Sequence, residues 1–204
     1  MYMSGVGPMS RDVRDSAELL QIMAEPDLRD PWTFKDSPPD YLAALTKGVA
    51  GMTMAWTPDW GNFNHFFSDA DSVCDAPVLE TVHQTALRFR EAGAQVDEIH
   101  LDFGADFLKA FESWFVINNA DRYALLGHLV DDPTTRAVLS NHARHILEPG
   151  RSITGAEYAL ALRERQRFTN LLEQRMAGYD LILTPTTPYV AQKVEDMMSL
   201  VPTG

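Results

Sequence analysis

The residues with the most chemical potential in this sequence are few and scattered. His142, His145 and Glu148 recur every three residues. On a helix that spacing places them on one side, where imidazole and carboxylate could approach a common ion. It equally describes a polar helix face above a core, and a metal site needs convergent geometry as well as spacing. Asp69, Asp71 and Asp75 offer oxygen ligands, but the glycine and closing glutamate of a calcium-binding EF-hand loop are missing, and Asp75 is better placed to cap a helix. Cys74, the sole cysteine, has His83 in its sequence neighbourhood, and a thiolate nucleophile needs such a base close in space. His65 sits in an aromatic loop, and His100 and His128 show no partner in sequence. There is no G-x-S-x-G elbow, no P-loop and no H-E-x-x-H. Gly5 and Gly7 follow no expected strand and lack the third glycine of a dinucleotide fingerprint. No metal and no cofactor are therefore expected.

The elements that would position any site alternate helix with short strand. Val13, Ala17, Leu20 and Ala24 recur at helical spacing, widened by Leu19, Ile22 and Met23, so a helix is expected from about Asp12 to Ala24, ended by Pro26. Ser37-Pro38-Pro39-Asp40 reads as the start of a short helix capped by Ser37 and running through Leu45. Gly51 to Trp56 reads as a strand, followed by a loop to about Asp71. A helix follows from Ala76 to Ala92 with Val78, Val82, Ala86 and Phe89 on one face, closed by Gly93. Gln95 to Leu101 reads as a strand, Ala105 to Leu129 as a long aromatic-rich helix, and Pro133 to Leu147 as another helix. Thr154 and Glu157 form a capping box opening a helix to about Ala177, with Gly178 beyond its end. Tyr179 to Thr184 reads as a buried strand broken off by Pro185 and Pro188. The fold class is α/β, with few strands for a complete sheet.

Composition narrows the partners. The 204 residues suffice for one substantial domain, and the formal net charge of -12 repels phosphate backbones, which argues against nucleic acid. No apolar run approaches the roughly 18 residues a membrane-spanning helix needs, so no membrane partner is expected. A single cysteine fits a reducing, cytoplasmic setting.

Two segments carry a family resemblance. Gly7-Pro8-Met9-Ser10-Arg11-Asp12-Val13-Arg14-Asp15 resembles the G-P-M-[AST]-R-[ST]-V-x-D segment of amidase-signature hydrolases, and Glu25-Pro26-Asp27-Leu28-Arg29-Asp30-Pro31 is similar to their G-P-D-P-R-D-P loop, with Glu25 and Leu28 departing from it. Tyr179 to Pro188 is similar to their [FY]-D-[LV]-[LI]-[LI]-[TS]-P-[TA]-x-P strand and turn. The resemblance runs from Gly7 to about Ala191. It implies that residues 1–204 are part of an amidase-signature domain, with short strands of a mixed sheet covered by helices.

It also implies amide-bond hydrolysis through a serine nucleophile, a bridging serine and a lysine base. Those catalysts belong to a region preceding the G-P-M segment, and Lys35, Lys47, Lys109 and Lys193 match no such motif. No catalytic residue carries over, and the chain alone is expected to be inactive. Gly7, Pro8, Met9 and Arg11 are expected to be structural, with Arg11 able to anchor a carboxylate or carbonyls. Thr184, Pro185, Thr186 and Thr187 leave a strand end, where α/β enzymes place substrate contacts, and are candidates for a pocket wall. A small amide is the expected substrate of the complete enzyme. An interaction module, or half of a split enzyme that self-associates or binds a complementary chain, is the alternative.

Overall fold

The computed structural model describes residues 5–30, 33–59, 74–191 and 193. His65, Asp69 and Asp71 fall outside the described residues. The described residues up to Gly51 form one compact unit, and those from Met52 onward form another.

In the smaller unit, helix α1 spans Val13–Met23. Asp12 caps it, accepting the Arg14 amide at 2.7 Å, and Asp15 adds negative charge to the first turn. The expected apolar stripe is present but mostly unburied. Ala17 is buried, whereas Val13 and Ile22 are 70% and 72% exposed. A unit this short has too little chain to cover such a stripe. Helix α2 (Tyr41–Ala44) starts from Asp40 rather than Ser37, with the Asp40 carboxylate accepting the Ala43 amide at 2.8 Å. Pro38 is followed by Pro39, which pushes it out of helical geometry and delays the start. Gln21 Oε1 accepts the Tyr41 amide at 3.0 Å and ties α2 to α1.

The larger unit holds a sheet of β1 (Thr53–Trp56), β2 (Gln95–Glu98) and β3 (Leu181–Leu183), in the order β2-β1-β3. All three run parallel, with Met54 opposite both Val96 and Leu181, so the described sheet contains no antiparallel pair of the mixed sheet the resemblance implies. Met54, Ala55, Trp56 and Thr57 are all buried, as a central parallel strand requires. β3 is shorter than expected and is not buried throughout, since Leu181 is 45% exposed at the sheet edge. Asp180 clamps the strand starts: its amide donates to Thr53 O and its carboxylate accepts the Thr53 amide, both at 2.8 Å.

Helix α3 (Ala76–Glu91) precedes β2, and Gly93 at φ 90° makes the turn between them, a conformation glycine adopts without a Cβ penalty. After β2 come α4 (Ala105–Leu126), α5 (His128–Asp131), α6 (Pro133–Val138), α7 (Asn141–Leu147), a 3-10 turn (Glu148–Ser152) and α8 (Gly155–Arg175). The single helix expected over 133–147 is split, because Leu139 is extended and the Ser140 hydroxyl accepts the Ala143 amide at 3.1 Å to start α7 afresh. Phe107 of α4, and Phe103 just before it, pack on α8 through edge contacts with Phe168, at 6.0 and 5.1 Å between ring centroids. Arg167 of α8 bridges Asp106 of α4 at 2.7 Å.

The capping box forms as expected: Thr154 Oγ1 accepts the Glu157 amide at 3.2 Å and Glu157 Oε2 accepts the Thr154 amide at 2.7 Å. Thr154→Ala should therefore cost about 1 kcal/mol, read as a lower denaturation midpoint. Gly150 sits so close to α4 that a Cβ there would lie 2.1 Å from Asn119 O and 2.4 Å from the Tyr123 Cβ. Gly150→Ala should destabilise by about 1–3 kcal/mol through overpacking, measurable in the same denaturation experiment.

A surface clasp joins α5, α4 and the 3-10 turn. Tyr123 donates to Asp131 Oδ2 at 2.7 Å and Arg151 pairs with Asp131 Oδ1, and together they hold the Asp131 carboxyl below its ordinary 3.8. A lowered carboxyl pKa stabilises the fold above the ordinary carboxylate range, and the benefit is lost as pH falls through the lowered value. The stability advantage of the wild type over Asp131→Asn should thus be full at neutral pH and shrink under acid. Thermal melts from pH 7 down to about 2, spanning the carboxylate range, check this.

Candidate functional site at the carboxyl ends of the strands

In open α/β sheets, ligands gather outside the carboxyl ends of parallel strands. Here that edge is built by the turns after β1 and β3 and the start of α3. After β1, fully buried Thr57 donates its hydroxyl to Asp59 O at 2.5 Å, while its amide donates to Leu183 O at 3.1 Å. One threonine therefore closes its own turn and secures β3. After β3, Pro188 O accepts the Asp75 amide at 2.8 Å and pins the Thr-Pro turn to the start of α3. Asp75 occupies the expected cap position, but its side chain makes no capping bond.

Of the four wall candidates, Thr184 and Pro185 are half-buried and Thr186 and Thr187 exposed. Thr184 lines an apolar recess of about 190 Å³ between α3 and β3, with Val82, Ala86, Phe89, Ile182 and Leu183. Pro185, Thr186 and Thr187 lie outside its lining, and Thr187 Oγ1 is engaged with Tyr189 O at 3.4 Å. Val82, Ala86 and Phe89 read in sequence as a core-facing helix stripe. Their opening onto a recess follows from the shortness of the sheet, which their spacing does not encode. Thr85, also in the lining, carried no apolar signal.

Among the described residues the site can present hydroxyls and apolar surface but brings together no reacting pair. Cys74 and His83 do not form a nucleophile and base. Burial, with Asp75 nearby, pushes the Cys74 thiol up, while His83 stacks on Trp56 at 5.3 Å and 17° and directs Nε2 to Glu98 Oε1 at 3.3 Å. The His142, His145, Glu148 array holds no ion-binding geometry either. Glu148 Oε1 accepts from Arg136 at 2.8 and 3.0 Å, and among the described residues no three acidic, histidine or cysteine side chains converge.

Gly7, Pro8, Met9 and Arg11 lie in the smaller unit and lead into α1. Met9 is 95% exposed, and the Ser10 hydroxyl bonds Asp12 O at 2.6 Å as the chain enters the helix. Met9 and Arg11 border an open recess along α1 with Asp15, Glu18, Leu19 and Ile22. No described helix is long and apolar enough to cross a membrane.

Comparison with known proteins agrees with this architecture. The chain is 28% identical to the A-type component of glutamyl-tRNA(Gln) amidotransferase from Rubrobacter xylanophilus, over 96% of this chain and 44% of that protein. It is 28% identical to an acylamidase of Rhodococcus erythropolis, over 88% of this chain and 35% of that protein. It thus spans less than half the length of these curated relatives. A bacterial aryl acylamidase of the amidase signature family superposes with a TM-score of 0.72 at 21% identity, covering 92% of this chain and 37% of that one. The corresponding amidotransferase component of Thermotoga maritima gives 0.63 at 24% identity, over 93% and 38%. The amidase family model matches residues 1–203, and the chain belongs to the amidase family.

Proposed function

We propose that this chain is part of a hydrolase of small, non-peptide amides, and that residues 1–204 contribute to a single amidase domain. The observation that carries the reading is the match of the amidase model across residues 1–203. In the complete enzyme a serine attacks the amide carbon, a second serine and a lysine relay the proton to the departing amine, and the acyl-enzyme is then hydrolysed. This chain supplies scaffold and a pocket wall at Thr184–Thr187. Its place at the carboxyl ends of the strands supports that role. The single cysteine supports a cytoplasmic setting.

Taken alone, the chain is inactive in this reading. The support is in the sequence, where Lys35, Lys47, Lys109 and Lys193 match no serine–lysine motif of the family. The second reading is an association role, either as an interaction module or as one half of a split enzyme that self-associates or binds a complementary chain. Relatives named as one component of an amidotransferase favour it.

The purified chain should show no turnover of aliphatic or aryl amides under conditions where a complete acylamidase is active. Turnover that survives purification, and is abolished by a substitution in this chain, would sink the reading.

A further inference from the structure

The groove between α4 and α8 is charged toward its ends and apolar in its middle. The two helices run antiparallel, with Arg167 on Asp106 at one end and the Tyr158 hydroxyl donating to Asp121 Oδ1 at 2.9 Å at the other. Between these ties lies an open recess of about 360 Å³, within the size range of small-ligand sites. Val116, Leu160 and Ala161 give it an apolar middle, where Ala161 is buried and Leu160 is 63% exposed. Glu112 and Glu164 border it toward the Arg167 end, and Glu157 toward the Tyr158 end. Glu157 and Glu164 stand seven residues apart on α8, about 10 Å along its axis. None of these residues lines the recess beside β3.

Two features separate this groove from an ordinary polar surface. The first is spare acceptor capacity. Glu157 Oε2 accepts the Thr154 amide and hydroxyl at 2.7 and 2.8 Å, and Glu164 Oε1 accepts Arg167 Nε at 2.8 Å. Among the described residues the second oxygen of each is unengaged, as is the Glu112 carboxylate. Lys109 is the one cation in the lining, and its charge also acts on Asp106. The second feature is Ser113. Helical hydroxyls ordinarily return to the carbonyl one turn back, as Thr81, Thr85 and Thr169 do at 2.7, 2.8 and 3.0 Å. Ser113 is 8% exposed and borders the recess, yet its hydroxyl meets no partner among the described residues. A buried hydroxyl left unmatched costs stability, and an occupant of the recess would satisfy it.

We propose that the α4–α8 groove binds a linear aliphatic diammonium ion. Its methylene stem lies on Val116, Leu160 and Ala161, one ammonium meets Glu112 and Glu164, the other meets Glu157, and the Ser113 hydroxyl accepts an N–H. Three carboxylates against one ammonium select a cation, which a chain of net charge -12 draws from solution. The apolar middle selects a methylene stem over a hydrated metal ion. Binding here does not depend on the amide chemistry proposed above.

The test titrates cadaverine into the chain by calorimetry at low ionic strength. Saturable binding is expected. Butylamine, with a single ammonium, should bind at least about tenfold more weakly, and glutarate, of opposite charge, should not bind. Glu112→Gln should weaken cadaverine about fivefold. Leu160→Lys, which sets a like charge in the middle of the groove, should abolish binding. Both positions are exposed, so the thermal melts of these variants should match the wild type. No saturable binding, butylamine as tight as cadaverine, or an affinity unchanged in both variants would overturn the proposal, the last two by showing only diffuse attraction to an acidic surface.

Discussion

Every amide and carbonyl that β1 directs sideways must be met by β2 or β3, because Met54, Ala55 and Thr57 are closed to water. A buried backbone group left unpaired costs about as much as a lost hydrogen bond, of order 1–3 kcal/mol. That constraint fixes the larger unit. Met52 and Trp56 turn their carbonyls to β2, while Thr53 and Thr57 engage the chain around β3. The helices then cover what the strands leave apolar. Trp56, stacked on the His83 ring, is the point where β1, α3 and the end of β2 meet.

Local signals in the sequence translated well where a side chain acts on its own backbone. Thr154 and Glu157 open α8, Asp12 opens α1 and Gly93 turns the chain from α3 into β2. They failed where two local options compete. Ser140 captured an amide that would otherwise have continued a longer helix, and consecutive prolines moved the α2 start from Ser37 to Asp40. Hydrophobic periodicity located helices but did not say what they pack against. Val13 and Ile22 follow a core pattern yet stand open, because periodicity specifies a buried face and not its partner.

The site was legible only in part for the same reason. The Thr-Pro turn after β3 announced itself through prolines that cannot remain in a central strand. Its attachment to α3 through Pro188 and Asp75 joins positions far apart in sequence and leaves no mark on either. The histidine and acidic clusters looked like chemistry because spacing was all that could be seen. The fold supplies competing partners: Arg136 for Glu148 and Glu98 for His83.

The clamp between Thr53 and Asp180 spans 127 positions of chain. The pairing of α4 with α8, by contrast, is contained within residues 105–175. Loop closure must be met before a distant contact yields any return, and the entropic cost grows with the length of chain enclosed. The helical pair can therefore form from its own segment while β3 is still being brought home. Pairing β3 with β1 is therefore the entropically costlier closure, and before it is made Leu181, Ile182 and Leu183 are an uncharged segment without β1 beside it.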